Sequence, residues 1–238
     1  MQVEPSSVPN VDLIGPDAEG FKEAVELLLG REPDGVLIPA LPYSVIARNT
    51  DSRAVALLGV RFDMTGAQAR TYSVTHYADT LRHPEKATLT PGAMRFVCAE
   101  PLYTDLVLRR GHEIDRRGPM NLANLRRILR IGASLDCAAF DDGQFVGPDS
   151  LGAFDRLESE REAEILLVDE VLRPACAIDT LLKQALEIRP DKARDRALLA
   201  RRVLAKRLSE GLAADGLDGV AAVARNHRLR IGLWRQAQ

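Results

Sequence analysis

Histidines, cysteines and clustered carboxylates are the side chains that could do chemistry here. The four histidines, His76, His83, His112 and His227, stand far apart, with no two within four residues. A metal centre built on them would have to be assembled wholly by tertiary structure. His112 with Glu113 and Asp115 is the most polar cluster and holds the parts of a general-base or metal loop. The same residue types also make a solvated charged loop. Asp141, Asp142 and Asp149 gather carboxylates around Asp142-Gly143. Calcium takes about six to eight oxygen ligands, and the alternating acids of an EF-hand loop are missing, so a hairpin turn and a helix cap account for all three. Cys98, Cys137 and Cys176 lack any CxxC spacing. They read as buried small hydrophobes, with a Cys98–Cys137 bridge between strands as the alternative. The chain has no GxxxxGK[ST], no GxGxxG after a strand, no GxSxG and no HExxH. No catalytic residue, metal ligand or cofactor is therefore assigned.

Charge is the more informative property. Residues 189–238 carry 12 basic and 5 acidic side chains, a net of +7, while the rest of the chain has a net of -9. Arg194, Arg201, Arg202 and Lys206 lie on one basic helix and, with His112, are the candidate binding residues. Such a face can be solvated, pair within the chain, meet a protein partner or contact phosphates. Trp234 is the one aromatic residue of this segment, so a stacking platform for single strands is not expected.

The elements that must carry these residues follow from the spacing of apolar positions. The 238 residues are 46% hydrophobic and 28% charged with a formal net charge of -2, which fits one large or two small domains with a real core. The longest apolar runs fall far short of the roughly 20 residues a bilayer span needs. Residues 1–16 have neither a basic start nor an apolar run, and with no sequon or cysteine framework the expected location is the cytoplasm. Phe21, Val25, Leu28 and Leu29 predict a first helix, capped by Asp17 and stopped by Gly30. Period-two runs at 43–48, 54–64, 71–77, 94–98 and 128–140 predict strands. Asp142-Gly143 before Phe145-Val146 predicts a hairpin. Residues 99–127 are ambiguous, with a strand at 106–108 and a charged loop at 109–119 as one reading.

The period changes after Pro148. Phe154, Leu157, Ile165, Val168 and Leu172 form a helical stripe capped by Asp149 or Ser150. Ile178, Leu181, Leu182, Ala185 and Ile188 form a second. Leu198, Leu199, Val203, Leu204 and Leu208, after a cap at Asp191, form a third. Gly211, Gly216 and Gly219 interrupt the chain before a last helix through Val220 and Val223. Strands gathered in one half and helices in the other mean α+β rather than alternating βαβ units.

Three stretches carry a resemblance: Arg48-Asn49-Thr50-Asp51-Ser52, Leu89-Thr90-Pro91-Gly92, and Asp136-Cys137-Ala138-Ala139-Phe140-Asp141-Asp142-Gly143 with Gly147-Pro148-Asp149. Over residues 36–149 the chain resembles uncharacterised bacterial proteins with an immunoglobulin-like or fibronectin III-like β-sandwich followed by helices. The strand tryptophan of antibody domains is missing. The resemblance implies an antiparallel sandwich at 36–149 followed by helices; with the apolar spacing this gives a lead arm and helix at 1–35 and a helical segment at 150–238. It brings no catalytic residue with it.

The expected function is a non-enzymatic binding or protein-interaction module. Its recognition loops would be 49–53, 78–92 and 99–127, and a protein partner or a homodimer could also use the C-terminal helices. One alternative is a polyanion- or nucleic-acid-binding protein using the basic helices. Another is a hydrolase built on His112 and carboxylates.

Overall fold

The computed structural model describes residues 1–67, 70–79, 89–108, 117–173, 177–187, 189, 195–230 and 235–236. The fold is α+β. The chain divides into two compact units, Met1–Asp149 and Ser150–Gln236.

In the first unit, β-branched and aromatic residues at every second position favour extended backbone. The strands are β1 (Gln2–Val3), β2 (Val11–Ile14), β3 (Ser44–Asn49), β4 (Val55–Gly66), β5 (Thr71–Asp79), β6 (Met94–Cys98), β7 (Ile128–Phe140) and β8 (Gln144–Val146). One sheet runs β5-β4-β7-β8, with β1 parallel to β7. A second, three-stranded sheet runs β2-β3-β6, antiparallel throughout. Both sheets share one core: Val45, Phe96 and Val97 from the small sheet join Leu58, Val60, Phe62, Met64 and Leu135 from the large one. Residues 1–35 are part of this unit. Beyond the expected helix they contain β1 and β2, two strands too short to show a period.

Strand β7 changes phase partway along. Its core-facing residues are Ile131, Ala133 and Leu135, then Ala138 and Phe140. Gly59 pairs with Cys137 and Val60 with Leu135, which leaves Asp136 unmatched on β4. That is a β-bulge: Asp136 keeps the face opposite Leu135, beside Tyr77, and Cys137 joins it there, so the alternation is reset from Cys137 onward.

The helices of this unit correct several expectations. α1 (Phe21–Leu29) begins after Gly20, which is left-handed, and has no side-chain cap. Turns from Ala18 N–H to Gly15 O and from Phe21 N–H to Ala18 O delay the helix past Asp17, whose carboxylate meets the Met1 amino group instead. Gly30 ends the helix as expected, with φ 70° and its N–H on Glu26 O. A 3-10 turn, Ile38–Tyr43, follows. The expected strand at 106–108 lies in a helix, α2 (Pro101–Leu108). Pro suits the first helical turn, the Glu100 backbone carbonyl accepts from Tyr103 N–H, and Tyr103 and Val107 bury one i,i+4 face. Residues 117–119 of the expected charged loop open α3 (Arg117–Leu125), which buries Leu122 and Leu125.

The second unit is helical: α4 (Ala153–Val171), α5 (Ile178–Glu187) and α6 (Arg196–Arg230). α4 starts after a left-handed Gly152, so neither Asp149 nor Ser150 is its N-cap residue. Its buried face is Ala153, Leu157, Glu160, Glu164, Leu167, Val168 and Val171. The expected stripe is therefore rotated, because two glutamates sit on the face that apolar spacing alone assigns to leucines. α6 is two helices meeting at Asp215 and Gly216, whose backbone is not helical. Val223 lies against Gly211: a Cβ built there would be 3.1 Å from Val223 Cγ2. In a straight helix these residues would be about 18 Å apart, so the two halves fold back on each other. Their core joins Leu204, Ala205, Leu208, Val220 and Ala224 to Val168, Val171, Leu182 and Ala185.

Candidate functional site

Of the candidate binding residues, His112 and Arg194 lie outside the described residues, as do His83, Cys176, Ile188, Asp191 and Trp234. Arg201, half-buried on α6, is bonded to Glu170 of α4. Lys206 is 75% exposed and 3.9 Å from Glu210 one turn on. Arg202 is exposed on the same helix. Arg201 and Lys206 thus have acidic neighbours within their own unit.

The described histidines are engaged. His76 Nε2 lies 3.0 Å from Ala99 O. A carbonyl only accepts, so Nε2 carries the proton. Burial holds this imidazole below its ordinary pKa, opposed by the Ala99 contact. It lines a cavity of about 120 Å³ with Leu58, Val60, Arg95 and Thr104, small beside the roughly 300–1,000 Å³ of ligand clefts. His227 is buried, with Nε2 3.3 Å from the equally buried Glu164 carboxylate. Cys98 and Cys137 are both buried and in no disulfide, so the bridge offered as an alternative is not formed. Burial pushes the Cys98 thiol up to about 11, which removes it as a nucleophile at neutral pH.

The loop 49–53 is tied to the molecule. Arg53 forms a fork on Asp51 at 3.0 Å through Nε and Nη2, reaches Asp142 at 2.8 Å and Gln144 at 2.6 Å, and lies 4.0 Å over the Phe140 ring. Asn49 Nδ2 donates to Arg53 O and Leu89 O. Loop 78–92 is described only at its ends. Loop 99–127 contains α2 and α3.

The bulge gathers Asp136, Cys137 and Asp149, whose ligand atoms lie within 4.8 Å of one another. Spacing alone pointed to Asp141, Asp142 and Asp149 and missed this group. The signal that could have found it is the phase change from Leu135 to Ala138. Tyr77 Oη lies 3.5 Å from Asp136, and Asp149 N–H donates to Asp136 O at 3.0 Å. Gly147, at φ 119°, sits so close that a Cβ would be 2.5 Å from Asp136 O. These main-chain contacts lock β8 and the segment after it onto the bulge.

A groove of about 730 Å³ lies between residues 1–6 and 12–19. Glu4, Asp12, Asp17 and Glu19 line it, with Arg48 the one cationic side chain among the described residues. Arg48 is 3.1 Å from Asp12. Its floor is tight, since a Cβ on Gly15 would be 2.6 Å from Val3 Cγ2. The recognition loops inferred from sequence do not include it.

No family model, curated protein or solved structure matches the chain. No helix among the described residues is long and apolar enough to cross a membrane.

Proposed function

We propose that the protein is a non-enzymatic interaction module whose first unit, an immunoglobulin-like β-sandwich, recognises a protein partner at the groove beside β2. The observation that carries this reading is the groove itself: about 730 Å³, polar-rimmed, with β2 along one wall. Rigid strands hold a recognition surface more accurately than loops do. The sandwich reading is supported by two antiparallel-rich sheets sharing one core. In contrast, the described histidines and Cys98 are buried or bonded within the fold, which does not favour a hydrolytic site among them.

Photo-crosslinking tests the reading. A benzophenone amino acid replaces Leu13, which lines the groove, or Leu129, which is 73% exposed on β7. Expected is one discrete protein adduct from position 13, missing from position 129 and lost in Glu4→Lys/Glu19→Lys; its partner, once purified, binds the full chain. Equal labelling at both positions, or no adduct at 13, overturns it.

A further inference from the structure

The geometry points to an extended, lysine- or arginine-bearing segment of a partner protein as the occupant of this groove, added as a strand to the free edge of β2. The inference rests on the interaction reading above and names the partner's chemistry.

The first argument is the main chain. Among the described residues β2 pairs only with β3, Asp12 opposite Arg48 and Ile14 opposite Ile46. Thr50 N–H donates to Asn10 O at 2.8 Å, which makes residues 10 and 50 a hydrogen-bonded pair. Antiparallel ladders alternate, so Asp12 and Ile14 turn their peptide groups toward β3 while Val11 and Leu13 turn theirs away. Val11 is closed off by its own chain: its N–H donates to Val8 O, and its carbonyl accepts from Ser6 Oγ at 2.6 Å. Leu13 has no such partner among the described residues, and it lines the groove. One N–H and one C=O therefore stand side by side at an open edge, the pair an incoming antiparallel strand needs.

The second argument is charge. Asp12 is matched by Arg48, and Asp17 by the Met1 amino group at 3.2 Å. Glu4 and Glu19 are exposed and have no ion-pair partner among the described residues. Two unmatched carboxylates flanking an open edge favour cations on the incoming strand and repel an acidic one. Among the described residues of β2, Leu13 alone offers open main-chain groups, so the occupant pairs with β2 at one residue and its flanking residues carry the cations.

The probe is an eight-residue fluorescein-labelled peptide alternating lysine and valine, titrated by anisotropy against the full chain. A glutamate–valine peptide serves as control. Two further lysine–valine peptides carry N-methyl groups on every valine or on every lysine. Strand addition predicts saturable binding of the lysine peptide only, weakened about tenfold in Glu4→Gln/Glu19→Gln, the loss expected for two rim charges. It also predicts that one N-methyl series loses binding and the other keeps it, because only alternate peptide groups face β2. Binding by both series, or binding unchanged in the double variant, overturns the assignment. So does concentration-dependent dimerisation that Glu4→Lys/Glu19→Lys abolishes, since a second copy would then be the occupant. If no peptide binds but the Leu13 crosslink succeeds, the partner chemistry is wrong and the interaction reading stands. If both fail, both fall.

Discussion

Arg53 shows how much one side chain can organise. Its fork on Asp51, its reach to Asp142 and Gln144 and its seat over Phe140 join the β3–β4 turn to the β7–β8 hairpin. Arg53→Ala leaves the buried Asp51 carboxylate without its main partner and should cost about 2–3 kcal/mol in urea unfolding. Arg53→Lys should recover only a small part, because an ammonium cannot make the planar fork. The same contacts set a pH dependence. Hydrogen bonds from the Arg53 side chain and N–H, then from Asn10, hold the Asp51 carboxyl well below the usual range. Burial pushes the Asp142 carboxyl up, yet hydrogen bonds from Arg53 and Gln144 N–H leave it lowered. A folded-state pKa below the unfolded one adds stability that is full above the unfolded value of about 4 and is lost as pH falls below it. Melting temperature should therefore drop below about pH 4 in the natural chain. In Arg53→Ala the drop should be smaller, since only the side-chain share is lost and the hydrogen bonds from Asn10, the residue-53 N–H and Gln144 N–H remain.

At the scale of elements, two close backbone approaches hold the connections. Gly147 combines φ 119° with carbonyl and Cα atoms of the bulge within 2.7 Å of where a Cβ would stand. Gly147→Ala should cost about 2–4 kcal/mol by strain and overpacking together, measured by chemical denaturation. In α6, a Cβ on Gly211 would be 2.9 Å from Gly219 O, and Gly219 faces Gly211 O more tightly still. Gly219→Ala should pry the two halves apart and cost about 1–3 kcal/mol. Gly216→Ala meets no atom within 4 Å and is strained only by its φ of 61°, so melts of the two variants separate packing from backbone effects. The α4 face shows why helical spacing misled. Glu164 is buried because His227 meets it from the far half of α6, and no count of apolar residues along α4 contains that information.

For the molecule as a whole, the charge imbalance raises the polyanion alternative, and the pairing of Arg201 with Glu170 and of Lys206 with Glu210 weighs against it. The chain should pass through a heparin column at about 0.15 M salt, where exposed charges are screened beyond about 8 Å. Retention that Arg201→Glu/Arg202→Glu abolishes would restore the nucleic-acid reading.

What the sequence determined by itself was local. The period-two runs from Val55 to Gly66 and from Ile128 to Phe140, the stop at Gly30 and the glycine break in α6 are all legible, because backbone preference and side-chain alternation act between near neighbours. The α+β class follows from them. The groove was not legible. β1 and β2 are two and four residues long, too short for a period, and become strands only because β7 and β3 offer partners across more than 30 residues of chain. The cluster at Asp136 was half legible, since its phase change is written in β7 but Asp149 reaches it only through tertiary contacts. Hydrogen bonds and charges that meet across the fold are properties of distance in space, which spacing along the chain does not encode.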